Sequence, residues 1–412
     1  MTRAHVAVHI GELELSEGIR PLEGLDGYRS AALLVRWQGQ PIGWVRIPGD
    51  VAEAGRISAE RVREAVTDQL GRDLAGRLLG IPVSVASPRE QAPAPAISVV
   101  VCTRDRPDQL RGCLAALLAQ DHPSYDVLVV DNASTSSATA RVAAAAGVRC
   151  VREERPGLDW ARNRGIAEAH HDIIAFTDDD ARPDRAWLRA IAAAFTATTD
   201  VMAVTGLVAP AELETAAQAR FELEYGGMGH GLQRRLIHRS ALSTVGLLWA
   251  SGFGVGANMA FRREVFRRVG PFDPALDLGT PAAGCGDVEL LHRVVAAGGT
   301  LVYEPRALVW HQHRPAAADL DALVWHNGTG FGAYLLTCVR NRTVNRLAIL
   351  HFFIRQWLGW WLLRRLLRPA GFPRHLVGRE LLGALVSPFA YRAAQARARQ
   401  IAKAGAPQRG GR

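Results

Sequence analysis

Cysteine is scarce in this chain of 412 residues, and long uncharged apolar runs are missing. The five cysteines form no CxxC pair and no zinc-ligand spacing, which excludes a disulfide framework and favours a reducing compartment. The longest apolar stretch, 347–363, is broken by His351, Arg355 and Gln356. A membrane-spanning helix needs about 20 apolar residues, and a signal peptide needs an apolar core that the first residues lack. We therefore expect a cytoplasmic protein.

Two nucleotide-binding fingerprints are also missing. No GxGxxG follows the first β-like run of the central region, and no GxxxxGK[ST] occurs anywhere. These glycine-rich loops cradle phosphates in dinucleotide-dependent oxidoreductases and in P-loop ATPases. Their absence argues against both classes of enzyme.

Charge is unevenly distributed along the chain. The net charge is +9, but residues 331–412 carry 14 arginines, one lysine and one glutamate, a net charge of +14. Residues 1–330 hold 34 basic and 39 acidic residues, a net charge of −5. A basic end on a mildly acidic body argues against a nucleic-acid-binding core and favours contact with an anionic surface. We therefore expect no nucleic-acid partner.

The basic end also contains Trp357, Trp360 and Trp361 among leucines. Tryptophan and arginine on an apolar helix are typical of a segment that lies in a membrane interface. The alternative is a helix packed on the catalytic domain or in a dimer interface. We expect the protein to sit peripherally at the inner face of the cell membrane.

Composition divides the chain into three regions. Residues 1–95 contain short β-like runs and one charged helix, and are predicted to be an accessory module that carries no chemistry. The proline- and alanine-rich segment 87–96 is predicted to be a linker. Residues 96–318 are predicted to form the catalytic domain, and 319–412 a helical basic region whose tail, 392–412, is disordered.

Strand-like and helical segments alternate through 97–208. Continuous apolar strands in such a series indicate an α/β fold with a mostly parallel sheet covered by helices on both faces. Polar residues follow three strands: 103–106 after the first, 131–132 after the second and 177–180 after the fourth. Ligands of such sheets bind at the carboxyl ends of the strands.

Asp178, Asp179 and Asp180 directly follow an apolar strand. Three adjacent carboxylates repel one another, so they call for a cation, and oxygen ligands favour Mg²⁺ or Mn²⁺. Alternate residues of an extended chain point the same way, so Asp178 and Asp180 are the pair expected to converge. A divalent cation at this position suits a nucleotide diphosphate.

The motifs 97–107, 129–134, 161–166, 174–180, 256–263 and 286–293 together resemble, in order, those of family 2 glycosyltransferases with a GT-A fold. The resemblance covers about 97–315. It implies a GT-A-like sheet and inverting transfer of a sugar from a nucleotide-diphosphate sugar, with a divalent metal, to a hydroxyl of a glycan, glycolipid or other acceptor. Such enzymes build glycans of the cell envelope.

The resemblance assigns roles to individual positions. Those matching donor contacts are Thr103, Arg106, Asp131, Arg162, Asn163, Asp178 and Asp179. Those matching metal ligands are Asp180, Asp178 and His311, with His313 as an alternative histidine.

Asp287 matches the catalytic base of the family. Many members have Glu-Asp at this point, whereas this chain has Gly286-Asp287. Glu289 is a second candidate, and a purely structural role for Asp287 as the N-cap of the following helix is the competing interpretation. Two other functions stay open at this point: a nucleotidyltransferase, and a non-catalytic basic scaffold that binds membrane or RNA.

Overall fold

The computed structural model describes residues 7–48, 55–78, 94–198, 200–367 and 372–404. Most of the predicted linker at 87–96 and the last eight residues, 405–412, lie outside these ranges.

The N-terminal module is a three-stranded sheet with one helix. β1 (Val8–Glu14) runs parallel to β2 (Ser30–Trp37), and β2 pairs antiparallel with β3 (Gln40–Pro48). α1 (Ala59–Leu78) follows Ser58, whose hydroxyl accepts a hydrogen bond from the Arg61 N–H at 3.2 Å. The module buries its own apolar cluster between this helix and one face of the sheet.

The central sheet has nine strands in the described part of the chain. They are β4 (Ile97–Thr103), β5 (Tyr125–Asn132), β6 (Arg149–Glu153), β7 (Ile173–Asp178), β8 (Ala181–Pro183), β9 (Val201–Pro210), β10 (Arg235–Ile237), β11 (Met259–Arg262) and β12 (Thr300–His311). Their spatial order is β10-β12-β9-β11-β7-β4-β5-β6, and β8 pairs with β12. β4 to β7 are mutually parallel, and β9 is parallel to β12.

β11 joins the two parallel groups, because it runs antiparallel to both β7 and β9. The motif at 256–263 did not predict a strand, since four residues are too few to show a strand period. The predicted fold class is nevertheless confirmed: a GT-A-like, mostly parallel sheet with a small β-containing N-terminal module and a helical C-terminal region.

Helices cover both faces of the central sheet. They are α2 (Pro107–Leu118), α3 (Ala138–Ala145), α4 (Leu158–Glu168), α5 (Trp187–Ala197), α6 (Ala216–Arg220), α7 (Thr244–Leu248), α8 (Arg263–Val269) and α9 (Gly286–Ala296). Side chains of β4 alternate between two cores: Val99 and Val101 pack with α2 and α5, whereas Val100 packs on the side of α4 and α9. Both faces of the sheet are therefore covered and buried from solvent, as the continuous apolar strands predicted.

Helices also form the C-terminal region. They are α10 (Ala317–Asn341), α11 (Arg346–His351), the π-helical segment Phe352–Leu363, α12 (Arg364–Leu367) and α13 (Arg374–Ala404). α10 and α13 approach closely at Gly328, where an added Cβ would lie 2.0 Å from the Glu380 carbonyl oxygen. Phe352 and Trp357 are buried in the main core, so this region packs on the domain that contains the central sheet.

The predicted disordered tail is wrong for residues 392–404, which continue α13 to Ala404. Alanine, arginine and glutamine are good helix formers, and Tyr391 and Ala394 are buried against Ala275 and Leu276. Among the described residues, no helix is long and apolar enough to cross a membrane.

Candidate active site and metal centre

The carboxyl ends of β4, β5 and β7 meet at one edge of the sheet. Thr103 at the end of β4 lies opposite Asp131 on β5, and Cys102 lies opposite Asp178 on β7. The parallel register therefore brings the polar residues of three separate motifs to one place, as expected for a ligand site.

Asp178, Asp180 and His311 converge at this edge, each offering a ligand atom within 4.8 Å of the others. His311 is the last residue of β12, and its neighbour Gln312 donates from its N–H to the Asp180 carbonyl at 3.1 Å. Ala181 of β8 pairs with His311, so the antiparallel pairing of the short strand β8 with β12 holds the acidic turn against the histidine. The alternative histidine, His313, is turned to Glu222 at 3.0 Å and is not part of this cluster.

Electrostatics differ between the two carboxylates of the cluster. Burial and the neighbouring Asp180 raise the pKa of Asp178. Burial also acts to raise the pKa of Asp180, but hydrogen bonds and charge from His311 and Arg106 outweigh it and hold that pKa well below its usual range. Two carboxylates and an imidazole are ligands that Mn²⁺ and Mg²⁺ accept. The Nδ1 atom of His311 is buried without a hydrogen-bond partner in the described residues, so these side chains fit a divalent cation.

Asp179 faces away from this triad and organises a different contact. Its carboxylate accepts a hydrogen bond from the Thr103 hydroxyl at 2.6 Å and another from Arg106 Nη1 at 2.6 Å. Arg106 also donates from Nη2 to Asp180 at 2.7 Å. Burial raises the pKa of Asp179 to about 7 even though Arg106 opposes it. The side chain of Arg106 is 40% exposed, so the guanidinium forms an accessible cationic rim beside the triad.

Asp131 presents an unused acceptor. One carboxylate oxygen accepts from Arg152 Nη1 at 3.0 Å, whereas Oδ1 is buried and has no hydrogen-bond partner among the described residues. A buried unsatisfied acceptor is costly, which makes it a good place for a ligand N–H or O–H.

Arg162 and Asn163 differ in where the structure places them. Arg162 is buried, forms an ion pair with Asp159 at 3.0 Å, and lies beside Gly256, where an added Cβ would approach its Nη2 to 2.4 Å. Asp159, Asp287 and Asp178 all act to raise its pKa against burial. Asn163 instead exchanges two hydrogen bonds of 2.9 Å with the backbone of Phe272, so its amide is already engaged outside the triad.

Asp287 lies in the first turn of α9 and not at its N-cap, which is Cys285 in a left-handed conformation. The expected N-cap position is therefore wrong, because α9 already begins at Gly286, the residue before Asp287. One carboxylate oxygen of Asp287 accepts from the Gly256 N–H at 2.6 Å and the other from the Val288 N–H at 2.9 Å. Glu289 is buried and forms an ion pair with Arg293 at 2.7 Å, a contact that gives this carboxylate a structural role.

Sequence reasoning missed two buried carboxylates behind the site, Asp159 and Asp277. Asp277 accepts from the Leu158 N–H at 2.7 Å and so caps α4 from 119 residues away. Each has one buried oxygen without a hydrogen-bond partner among the described residues. The spacing of Asp159 and Arg162 on one helix signals their contact, but nothing local signals Asp277.

The fold and these contacts define an α/β protein with a candidate metal-assisted active site at the strand ends. Residues 98–270 match the family model described as Glycosyl transferase family 2. These residues therefore form a family 2 glycosyltransferase domain, and the family indicated by the sequence motifs is confirmed.

Similar proteins include several glycosyltransferases. The pre-mycofactocin glycosyltransferase of Mycobacterium tuberculosis is 28% identical over 261 residues, which are 62% of this chain and 51% of that protein. Glycosyltransferase AglE of Haloferax volcanii is 26% identical over 230 residues, or 54% of this chain and 68% of that protein. The chain thus spans about half the length of the mycobacterial relative that it matches.

Among solved structures, the chain is similar to the mannosyltransferase PcManGT from Pyrobaculum calidifontis in complex with GDP-Man and Mn²⁺. The identity is 19%, the match covers 82% of this chain and 83% of that one, and the TM-score is 0.45.

Proposed function

We propose that the protein is an inverting glycosyltransferase that moves a sugar from a nucleotide-diphosphate sugar to an acceptor hydroxyl, with Mg²⁺ or Mn²⁺ as cofactor. The observation that carries this proposal is the convergence of Asp178, Asp180 and His311 at the sheet edge within a family 2 domain. A nucleotidyltransferase or an inert scaffold, the alternatives from the sequence, gains no support from these contacts.

The donor side is built from the strand ends. Asp178, Asp180 and His311 would hold the cation, which neutralises charge on the diphosphate as it leaves. The free Oδ1 of Asp131 is available to accept from the base or ribose, and the exposed guanidinium of Arg106 is available to a phosphate oxygen. Thr103 and Asp179 hold Arg106 in that position.

The acceptor side is built around Asp287. Its carboxylate would remove the proton from the acceptor hydroxyl as that oxygen attacks the anomeric carbon. The bond between this carbon and the diphosphate breaks at the same time, and the nucleoside diphosphate departs with the bonding electrons. The N–H groups of Gly256 and Val288 hold the carboxylate in place, and each of its oxygens keeps lone pairs for a proton.

Thermal shift with UDP- and GDP-sugars, each with and without Mn²⁺, tests the donor site. A ligand that binds the native state raises the melting temperature, by an amount set by its concentration relative to Kd. We expect at least one nucleotide sugar to raise the Tm, and to do so more strongly with Mn²⁺. No shift with any donor, in either condition, would contradict the proposal.

The protein is further proposed to work at the inner face of the cell membrane, on a glycan or lipid-linked acceptor of the cell envelope. Large apolar side chains are exposed along α11, α12 and the π-helical segment between them: Leu347, Leu350, Ile354, Trp360, Leu363, Leu366 and Leu367. The single acidic residue of 331–412, Glu380, is buried, so this face combines apolar and cationic groups. That combination complements an anionic bilayer. The unpaired cysteines suit a cytoplasmic location.

Flotation with phosphatidylglycerol vesicles tests the membrane proposal. The full chain should bind at low salt, and the double variant Leu350→Glu with Ile354→Glu should lose most of this binding. Leu118→Glu is the matched control, because Leu118 is a leucine of similar exposure on α2. Equal binding by both variants, or no binding by the wild type, would contradict the membrane assignment without touching the donor site.

A further inference from the structure

The N-terminal sheet has two buried faces. Leu33, Val35 and Val45 face α1 inside the module, whereas Leu34 belongs to a second cluster with Leu207, Ala209 and Leu308 of β9 and β12. Successive side chains of a strand point to opposite faces, so this alternation seats the module on the central sheet. The contact lies on β12, the strand that ends at His311.

Trp44 makes the aromatic part of this contact. Its ring meets that of Trp310 edge-to-face, with centroids 6.5 Å apart and planes at 89°. Such pairs stabilise a contact beyond the burial of the two rings and have a defined geometry. Trp310 is the residue before His311 on β12, so the module contacts the strand directly before the histidine.

Arg36 makes the ionic part. Its Nη2 lies 2.9 Å from Asp184 Oδ2, and both side chains are nearly buried. Asp184 follows β8, and its N–H donates to the Leu308 carbonyl of β12 at 2.9 Å. β8 itself begins directly after Asp180, so Arg36 anchors the far end of the segment whose near end is a candidate metal ligand.

A third contact completes the attachment. The Val8 N–H donates to the Leu213 carbonyl at 3.0 Å, and the Tyr28 hydroxyl donates to Glu214 at 2.8 Å. Two residues before Leu213, the Ala211 N–H donates to the carbonyl of His311 itself at 2.9 Å. All three strands of the module thus reach the backbone that surrounds the histidine and the acidic turn.

We propose that the N-terminal module positions the metal centre, with Trp44 and Arg36 as its positioning residues. Metal ligands must be held to within about 0.5 Å, and short loops seldom achieve this without support from packed neighbours. The inference rests on the metal site of the proposed function. It gives a supporting role to a module that contributes no candidate catalytic residue.

Mn²⁺ titration of the full-length protein tests the inference, with free Mn²⁺ measured by electron paramagnetic resonance. Loss of a residue that contacts a metal ligand costs about 10–100-fold in metal affinity. Trp44 contacts only the neighbour of a candidate ligand, so we expect Trp44→Ala to raise the Kd for Mn²⁺ by about 3–10-fold. Trp44→Phe should restore most of the affinity, because it keeps an edge-to-face ring. Arg36→Gln supplies an independent variant if Trp44→Ala does not fold.

Val66→Ala is the matched control, since Val66 is buried in the core of the module on α1 and belongs to a different cluster from β12. It should lower the Tm without changing the Kd for Mn²⁺. Equal Kd values for Val66→Ala and Trp44→Ala would overturn the positioning role. Wild-type Kd values in both Trp44→Ala and Arg36→Gln would also overturn it, provided that His311→Ala binds Mn²⁺ more weakly. If wild type and His311→Ala bind Mn²⁺ with the same Kd, the proposed metal site is contradicted as well.

Discussion

The two sides of the active site handle negative charge in opposite ways. On the donor side, Asp178 and Asp180 converge on His311 with Arg106 at the rim, and the pKa of Asp178 is raised by burial and by its neighbour. On the acceptor side, Asp287 is held by two backbone N–H groups, and the buried guanidinium of Arg162 lies next to it.

The difference indicates what each side lacks. In the proposed function a cation would complete the donor cluster, because burial and the neighbouring Asp180 raise the pKa of Asp178. The carboxylate of Asp287, the proposed base, already accepts two backbone hydrogen bonds, so its proposed role requires only that it take up a proton. Removing a carboxylate should therefore have different consequences on the two sides.

The largest expected effect is that of Asp287→Asn. The amide keeps shape and hydrogen-bonding capacity but cannot take the proton, so sugar transfer should fall about 10²–10⁴-fold. Donor affinity, measured by calorimetry, should stay unchanged because the base faces the acceptor. Glu289→Gln is the control: it should lower stability through the lost pairing with Arg293 yet keep transfer. Near-wild-type transfer in Asp287→Asn would return this residue to a structural role.

A smaller effect is expected on the donor side. Asp180→Ala should weaken Mn²⁺-dependent donor binding at least about 10-fold, since even supporting groups of a metal site are worth that much. His311→Ala should act in the same direction but less strongly, because it removes a neutral ligand and not a charge. EDTA should weaken donor binding by the wild type.

Two controls sharpen this test. Asp172→Ala removes a carboxylate that precedes the other end of β7, and His313→Ala removes the histidine that contacts Glu222. Both should leave donor and Mn²⁺ affinity unchanged. Donor affinity insensitive to EDTA would break the contrast between the two sides and the metal model with it.

Local patterns predicted which strand ends meet, and distant contacts were beyond them. The ends of β4, β5 and β7 come together because parallel strands end at one edge, so strand order predicted that Asp131, Asp178 and Asp180 lie at that edge, whereas their roles came from the family resemblance. The pairing of Trp44 with Trp310 and the capping of α4 by Asp277 depend on how distant segments dock. The tail was mispredicted because composition does not reveal that Tyr391 and Ala394 find a buried face.

The smallest expected effect concerns Asp277, which lies behind the acceptor side. Burial raises its pKa to about 7 even though the Leu158 N–H and Arg162 oppose this, whereas the unfolded value is 3.8. Between about pH 4 and 7 the folded state therefore keeps a proton that the unfolded state has released. This carboxyl lowers the stability of the fold as pH rises through that window, and its effect stays constant above it.

Asp277→Asn keeps an acceptor for the Leu158 N–H but cannot ionise. Its Tm relative to wild type should rise by at least about 2–4 °C between pH 4 and 7, the shift that 1 kcal/mol produces in a domain of this size. Asp172→Asn, at an exposed aspartate just before β7, is the control for the substitution itself. A Tm difference for Asp277→Asn that is flat with pH would show that folding does not raise the pKa of Asp277.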